Sequence, residues 1–259
     1  MIYEIKSINK KLLDSLKKNN YSRRLKSHFM AYGTSYDFSR FFVIENDSTK
    51  YGMISVFNSS MMITSFGGKN FNEEILSEIS AFVKMNKPET VEFECEYAPL
   101  LSDFLKDEYK GDTRTEFAFV PKNVLPPLEV DELPKLDDVF SILATCFPKL
   151  ADSYELWLTD TSHRIRRGLS QSFLLGNYTT ATIQYIVDGV ALVGHVGTIP
   201  EQRGKFHART LLYWIGERLT RDGFEVRLFA RPHRVSYYNE IGFRECGVDM
   251  VLERIDSDE

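Results

Sequence analysis

Apolar residues recur along the chain at two spacings, one near 3.6 residues and one of two, and their alternation predicts an α/β protein. Leu12, Leu13 and Leu16, then Leu25, Phe29 and Met30, fall at helical spacing, with Gly33 placed to end the second helix. Three short apolar runs follow, Phe41 to Glu45, Gly52 to Phe57 and Met61 to Phe66. Asn-Asp-Ser and Asn-Ser-Ser turns part them, so they predict a meander of neighbouring strands. Ile75, Ile79, Phe82 and Val83 mark one face of a helix between Phe71 and Asn86. Beyond Pro88 the pattern predicts a strand over Thr90 to Glu94, a helix over Pro99 to Glu108 and a strand over Thr115 to Val120.

Residues 121–136 break the pattern. Pro121, Pro126, Pro127 and Pro134 stand there among acidic residues, a composition that resists both helix and interior strand. The order of elements then repeats: helices over Val139 to Cys146 and Tyr154 to Leu169, strands over Tyr178 to Val187 and Val190 to Ile199 joined at Asp188-Gly189, a helix over His207 to Arg221, a strand over Phe224 to Ala230, a helix over Arg234 to Ile241 and a strand over Val248 to Arg254. Two copies of one α/β architecture with mixed (α+β) sheets are expected: a first domain over 1–122, a proline-rich linker over 123–136 and a second domain over 137–259. Identity between the halves is slight. The repeat rests on element order and on the match of Val91-Glu92-Phe93 to Glu225-Val226-Arg227.

Composition narrows the classes of function. Lys+Arg 32 against Asp+Glu 37 gives a net charge of −5, which supplies no global basic field and disfavours nucleic acid and anionic membrane as partners. Cys95, Cys146 and Cys246 are odd in number and never spaced as a Cys-x-x-Cys pair, so neither a disulfide framework nor a metal site is expected. The N-terminus lacks the pattern of a signal peptide, and no apolar run approaches a membrane span. A soluble, cytoplasmic protein acting as a monomer or homodimer is the expectation.

The most informative stretch runs from Ala191 to Leu212. An apolar run ends at Pro200, a basic, glycine-bearing loop follows, and helical spacing resumes with Leu211, Leu212, Ile215 and Leu219. A strand that feeds such a loop and then a helix N-terminus directs backbone N–H groups and a positive dipole end outward together, which suits a phosphate. An ordinary β-α turn has the same outline. A second pattern, Arg231-Pro-His-Arg-Val-Ser-Tyr-Tyr-Asn-Glu-Ile-Gly-Phe243, places Tyr238 on an amphipathic helix four residues before Gly242.

Together the two patterns resemble the GNAT superfamily of acyl-CoA-dependent N-acyltransferases. Val196, Thr198, Pro200, Glu201, Arg203, Gly204, Lys205 and Ala208 match its Val-x-Thr-x-Pro-Glu-x-Arg-Gly-Lys-Gly-x-Gly/Ala pattern, and Tyr238, Gly242 and Phe243 match its later Tyr and Gly-Phe positions. The resemblance covers about residues 137 to 254. It implies two GNAT-like domains, each a mixed, splayed sheet flanked by helices, the first having lost its motifs: Ser65-Phe66-Gly67-Gly68-Lys69 stands in the loop position there, and Leu105 near the tyrosine position. It also implies acetyl-CoA, or another acyl-CoA, as co-substrate without a metal, lying in the gap between the strand ending at Ile199 and the strand Phe224 to Ala230. Val196, Gly197, Thr198, Arg203, Gly204, Lys205, Phe206, His207, Ala208 and Arg209 would hold it. Two departures stand out. Phe206 replaces a glycine that would let the backbone approach the pyrophosphate, and Arg231 replaces an asparagine.

The expected reaction is direct attack of a primary amine, from a small molecule or amino acid, on the thioester. The resemblance gives Tyr238 the role of general acid toward the leaving thiolate, where the residue alone reads equally as a satisfied helix tyrosine. His195 is a candidate base because imidazole titrates near neutrality. Strand alternation puts it on the face opposite Val196, where a structural histidine under a helix is the competing reading. Tyr185, Glu201 and His233 are further options for the base, and His163 to Arg167 forms a basic run suited to a solvated face or an acidic acceptor. The alternative function is a non-catalytic module, degenerate in both halves, that senses acyl-CoA or binds a protein.

Overall fold

The computed structural model describes residues 1–255, which form two compact units. The first comprises Met1–Arg114 together with the chain from Val248 onward, and the second is Thr115–Gly247.

In the first unit the chain runs β1 (Ile2–Glu4), α1 (Lys10–Asp14), α2 (Asn20–Tyr32), β2 (Ser39–Asn46), β3 (Thr49–Phe57), β4 (Ser60–Ser65), α3 (Glu73–Asn86), β5 (Thr90–Phe93) and α4 (Ala98–Leu105), then enters β6 (Tyr109–Phe119). Helix α2 starts at a reciprocal cap, with the Asn19 side chain on the Ser22 amide and Ser22 on that of Asn19, and stops at Gly33, whose φ of 63° favours glycine. Strands β1 to β4 pair antiparallel in sequence order, and β4 pairs parallel with β5. One face buries Ile44, Ile54, Ile63, Ile79, Val83, Val91 and Phe93 under α3 and α4; the other buries Leu25, Phe41, Val43 and Met53 under α1 and α2.

The second unit continues with α5 (Leu136–Cys146), α6 (Tyr154–Arg166), β7 (Gln171–Leu175), β8 (Thr179–Val187), β9 (Val190–Thr198), α7 (His207–Arg221), β10 (Glu225–Ala230), α8 (Val235–Ile241) and β11 (Phe243–Arg254). Strands β7, β8 and β9 are antiparallel, and β9 pairs parallel with β10. Helix α7 lays Leu211, Leu212, Ile215 and Leu219 on the core with Phe173, Ile183, Val226 and Leu228. Gly216 permits that approach, since a Cβ there would lie 2.6 Å from the Phe119 ring. No described helix is long and apolar enough to cross a membrane.

Two strands run longer than the apolar pattern indicates, and both serve units on either side of the expected linker. The outer part of β6 pairs Thr115 to Ala118 with Ala230 to Arg227 of β10 and buries Phe117 completely in the second unit. The end of β11 pairs Met250 to Glu253 with Phe93 to Thr90 of β5 in the first. Residues 123–136 lie inside the second unit, anchored where the Lys122 amide donates to buried Glu217 at 2.7 Å and where Asp131 bridges Leu174. Polar Lys110, Asp112 and Arg114 hid the start of β6, for they read as a loop.

Arg114 explains why that polar stretch is a strand. Its guanidinium donates to Glu92 of β5 at 2.8 Å and to Asp249 of β11 at 2.9 Å, Arg24 pairs with the same Glu92, and the Tyr21 hydroxyl donates to Asp249. Burial raises the Glu92 carboxyl, but the two guanidinium groups outweigh it and hold it below the usual range. Burial pushes Asp249 up against the pull of Arg114. Removing Arg114 would leave buried Asp249 without a cationic partner and Glu92 with Arg24 alone, a loss of about 3–5 kcal/mol.

Cutting the chain within 123–136 takes β11 from the first unit and β6 from the second. Residues 1–122 and 123–259 expressed separately are therefore expected to give collapsed amide NMR spectra and no cooperative unfolding. A dispersed spectrum from either fragment would refute the strand assignment.

Candidate active site

The site starts from a fork in the sheet. Strands β9 and β10 are paired from Val190 with Glu225 to Val193 with Leu228, yet β9 continues to Thr198 beside β8 and β10 to Ala230 beside β6. A gap therefore opens beyond Val193. Into it faces a cleft of about 570 Å³ lined by Val196, Gly197 and Thr198 of β9, by the loop and first turn of α7, and by Tyr237 and Tyr238 of α8.

A bulge in β9 shapes this edge. Between Thr182 opposite Gly194 and Thr180 opposite Gly197, β9 carries one extra residue, and His195 there takes a left-handed φ of 47°. The imidazole is exposed, with Nδ1 3.4 Å from the Thr182 hydroxyl and its ring edge-on to Phe147. His195 is thus one neighbour removed from the cleft: Phe147 lines it and His195 does not. Of the other candidate bases, Tyr185 is buried at 1 % exposure, and Glu201 and His233 are exposed outside the cleft lining.

The loop has the backbone geometry of an anion cradle. Gly204 has φ 79° and Phe206, the residue that caps α7, has φ 63° and ψ 12°; no side chain caps the helix. Among the described residues, none of the backbone amides from Gly204 to Arg209 finds an intramolecular acceptor, and the first bond of the helix is Thr210 to the Phe206 carbonyl at 2.9 Å. Such amides at a helix end carry the positive pole of the dipole. The cleft lining adds Arg203, His207 and Arg234 and contains no carboxylate. Arg203 is steadied by donating to the Thr198 carbonyl at 3.1 Å, and the His207 ring packs against Tyr178 with centroids 4.4 Å apart. Lys205 and Arg209 stand outside the lining: Lys205 donates to Gln202, and Arg209 ties α7 to Glu240 of α8.

Phe206 occupies the position where glycine was expected. Its ring is 66 % exposed at the rim, 5.8 Å from the Arg209 guanidinium, so the left-handed backbone turns the side chain outward while leaving the amide in the row. The demand for glycine here is a demand on φ, with a cost of roughly 1–2 kcal/mol for an L side chain.

Tyr238 reaches the cleft from α8, its ring held against Phe117 and Phe243. Its hydroxyl has no hydrogen bond among the described residues. Burial pushes it above the ordinary tyrosine value, with Arg234 pulling part of the way back, so it stays protonated at neutral pH. Six lining residues were not singled out as site residues from sequence: Cys146 and Phe147 at the end of α5, Gln202, Leu212, Arg234 and Tyr237. Gly197 admits the first of these, since a Cβ there would lie 3.0 Å from the Cys146 sulfur, which itself donates to the Thr198 carbonyl.

The first unit has the same fork, with β4 and β5 paired only to Ile63 and Phe93. There the gap is filled from within. The Glu94 carboxylate accepts from the Ser65 amide at 2.8 Å, from Asn19 and Lys17 at 2.9 Å each, and from Thr64 at 3.0 Å. Helix α3 beside it is capped by the Asn72 side chain and begins with Glu73 and Glu74, so its end neither offers the Ile75 amide nor favours an anion.

No family model matches the sequence, and no curated protein matches it. Solved structures match by shape. A GNAT-family acetyltransferase from Colwellia psychrerythraea aligns over 99 % of this chain and 100 % of its own, with a TM-score of 0.58 and 12 % identity. A GCN5-related N-acetyltransferase from Sphaerobacter thermophilus aligns over 86 % of this chain and 82 % of its own, with a TM-score of 0.60 and 16 % identity. A tandem GNAT protein from the clavulanic acid biosynthesis pathway covers 100 % of this chain and 99 % of its own, with a TM-score of 0.59 and 8 % identity. Beside the forked sheet and the uncapped helix, these likenesses establish that the chain has the GNAT acetyltransferase fold.

Proposed function

We propose that the second unit is an acyl-CoA-dependent N-acyltransferase, which transfers an acetyl group from acetyl-CoA to the primary amine of a small molecule or amino acid. The observation that carries this reading is the row of unpaired amides from Gly204 to Arg209 at the mouth of a cleft with three basic side chains and no carboxylate. Pyrophosphate oxygens supply the acceptors that row lacks. The acyl-CoA provides the activated thioester. The strand edge at Val196 to Thr198 lines the pantetheine arm, with a backbone N–H near Val196 as the donor toward the carbonyl oxygen. Water carries off the proton that frees the amine lone pair; the nitrogen then bonds to the carbonyl carbon as the carbon–sulfur bond breaks, Tyr238 gives its proton to the departing thiolate, and the second proton shed by the nitrogen returns through water to the Tyr238 oxygen. His195 is too far out to take that proton directly, which leaves a water path as the favoured route. The reading includes one acyl-CoA per chain, because Glu94 occupies the equivalent gap in the first unit. The three free thiols fit a reducing, cytoplasmic setting.

Acetyl-CoA is expected to raise the melting temperature and to titrate at one equivalent per chain by calorimetry. If neither acetyl-CoA nor a longer acyl-CoA shifts it, the reading fails; binding without thiol release from any amine would leave an acyl-CoA sensor in its place.

Tyr238→Phe is expected to lower kcat at least a hundredfold with KM for acetyl-CoA little changed, since a general acid contributes about 10²–10⁴-fold. The alkaline limb of the rate profile, where the hydroxyl deprotonates, should disappear with it. Unchanged turnover removes Tyr238 from the chemistry.

In Phe206→Gly, relief of left-handed strain is offset by lost contact with Arg209 and by added chain entropy, each about 1 kcal/mol or less. Stability by urea titration and acetyl-CoA affinity are both expected to move little, the latter less than about threefold. A tenfold gain in affinity would show that the ring obstructs the cleft after all.

A further inference from the structure

Arg209 was expected among the cofactor ligands, and the structure turns it elsewhere. It is the third residue of α7 and the last of the row of unpaired amides, yet its side chain stands outside the cleft and reaches across to α8. A single nitrogen, Nη2, donates to the Glu240 carbonyl oxygen at 3.2 Å and to a Glu240 carboxylate oxygen at 3.1 Å. The guanidinium also lies 5.8 Å from the centre of the Phe206 ring, within the range of a cation–π contact. The side chain that stands where glycine was expected is therefore one that Arg209 rests on.

Helix α8 needs such a tie. It has only seven residues, about two turns, and Ile241 alone among them is buried. A helix that short does not hold itself in water, so its place is set by what grips it from outside. At its C-terminal end the Gly242 amide donates to the Tyr238 carbonyl, and Arg209 supplies a donor to the Glu240 carbonyl, one of the acceptors a helix end leaves without an internal partner. A cation there also meets the negative pole of the helix dipole. Tyr238 lies two residues before Glu240 on the same short helix and moves with it.

We propose that Arg209 is a positioning residue: from the end of the amide row it holds α8 so that the Tyr238 hydroxyl faces the sulfur of an acyl-CoA whose pyrophosphate is seated on that row. For its kinetic consequence this rests on the acyltransferase reading; the tie between the helices does not. The energy involved is small, because the Arg209 and Glu240 side chains are 33 % and 61 % exposed and such a pair contributes less than about 1 kcal/mol. What the tie fixes is a distance. A reacting group misplaced by about 1 Å can cost up to 10²-fold in rate, whereas pyrophosphate bound by backbone amides of α7 does not feel a shift of α8.

The test compares the full chain with Arg209→Gln, Arg209→Lys, Glu240→Gln and the double variant Arg209→Gln/Glu240→Gln. Amide hydrogen exchange is followed in the unliganded protein, acetyl-CoA turnover by thiol release and acetyl-CoA affinity by calorimetry. Arg209→Gln is expected to speed exchange several-fold over residues 235–241 and not over 211–219, and to lower kcat about tenfold with affinity held within about threefold. Arg209→Lys, which keeps a cationic donor, should recover most of the loss. The double variant should fall no further than Arg209→Gln, since both changes break the same contact. Unchanged exchange over 235–241 in Arg209→Gln overturns the proposal. So does a loss of affinity with kcat kept, which would return Arg209 to the cofactor ligands, or an equal loss of both, which would make it a support of α7 alone. A wild type that releases no thiol with any amine overturns the acyltransferase reading, and the exchange rates still decide whether Arg209 holds α8.

Discussion

The first turn of a helix must find acceptors for its amides, and in this chain α7 is built so that it cannot do so internally. Phe206 caps it with a left-handed backbone and no side-chain acceptor, and the loop before it brings further amides into the same row. Everything else at the site serves to keep that row reachable. The bulge at His195 lifts the strand edge, Gly197 lets α5 close over it, and α8 delivers Tyr238 across the gap left by the fork. Filling the fork with a protein carboxylate cancels the arrangement, as Glu94 does in the first unit. The two units share a scaffold and differ in whether the gap is left open.

Holding β5, β6 and β11 together in the first unit demands a different device. Burying ions within a sheet is costly, and Arg114, Glu92 and Asp249 are tolerable only as a set in which Nε and Nη2 of the guanidinium meet carboxylate oxygens. That set specifies pairing: a one-residue slip of β6 or β11 moves Arg114 or Asp249 to the opposite face and strands the others. The polar residues that obscure these strands in the sequence are thus the ones that fix their register.

Much of the fold was legible because it depends on local pattern. The 3.6-residue spacing of Leu211, Leu212, Ile215 and Leu219 and the runs at Phe41, Gly52 and Met61 predicted elements that the structure contains. The loop from Arg203 to Ala208 and Tyr238 were legible through their resemblance to a motif. What escaped depends on long-range partners. Cys146, Phe147, Arg234 and Tyr237 carry no signature and reach the cleft only through tertiary packing. Alternation set His195 opposite Val196, and it lies outside the cleft; the bulge that leaves it exposed, where a place under a helix was the competing reading, has no signature in the sequence. The requirement at position 206 was read as one of space, and the left-handed backbone shows it to be one of dihedral angle.

The last strand has a consequence for how the protein is made. Phe93 waits for Met250, about 160 residues further along, so at roughly 5–20 residues per second the ribosome needs on the order of ten seconds to supply β5's neighbour. During that interval the first unit exposes an open strand edge. Glu92 and Glu94 lie in and beside that edge, and charged side chains there discourage other chains from pairing with it. The carboxylates that hold the finished unit together also guard the unfinished one.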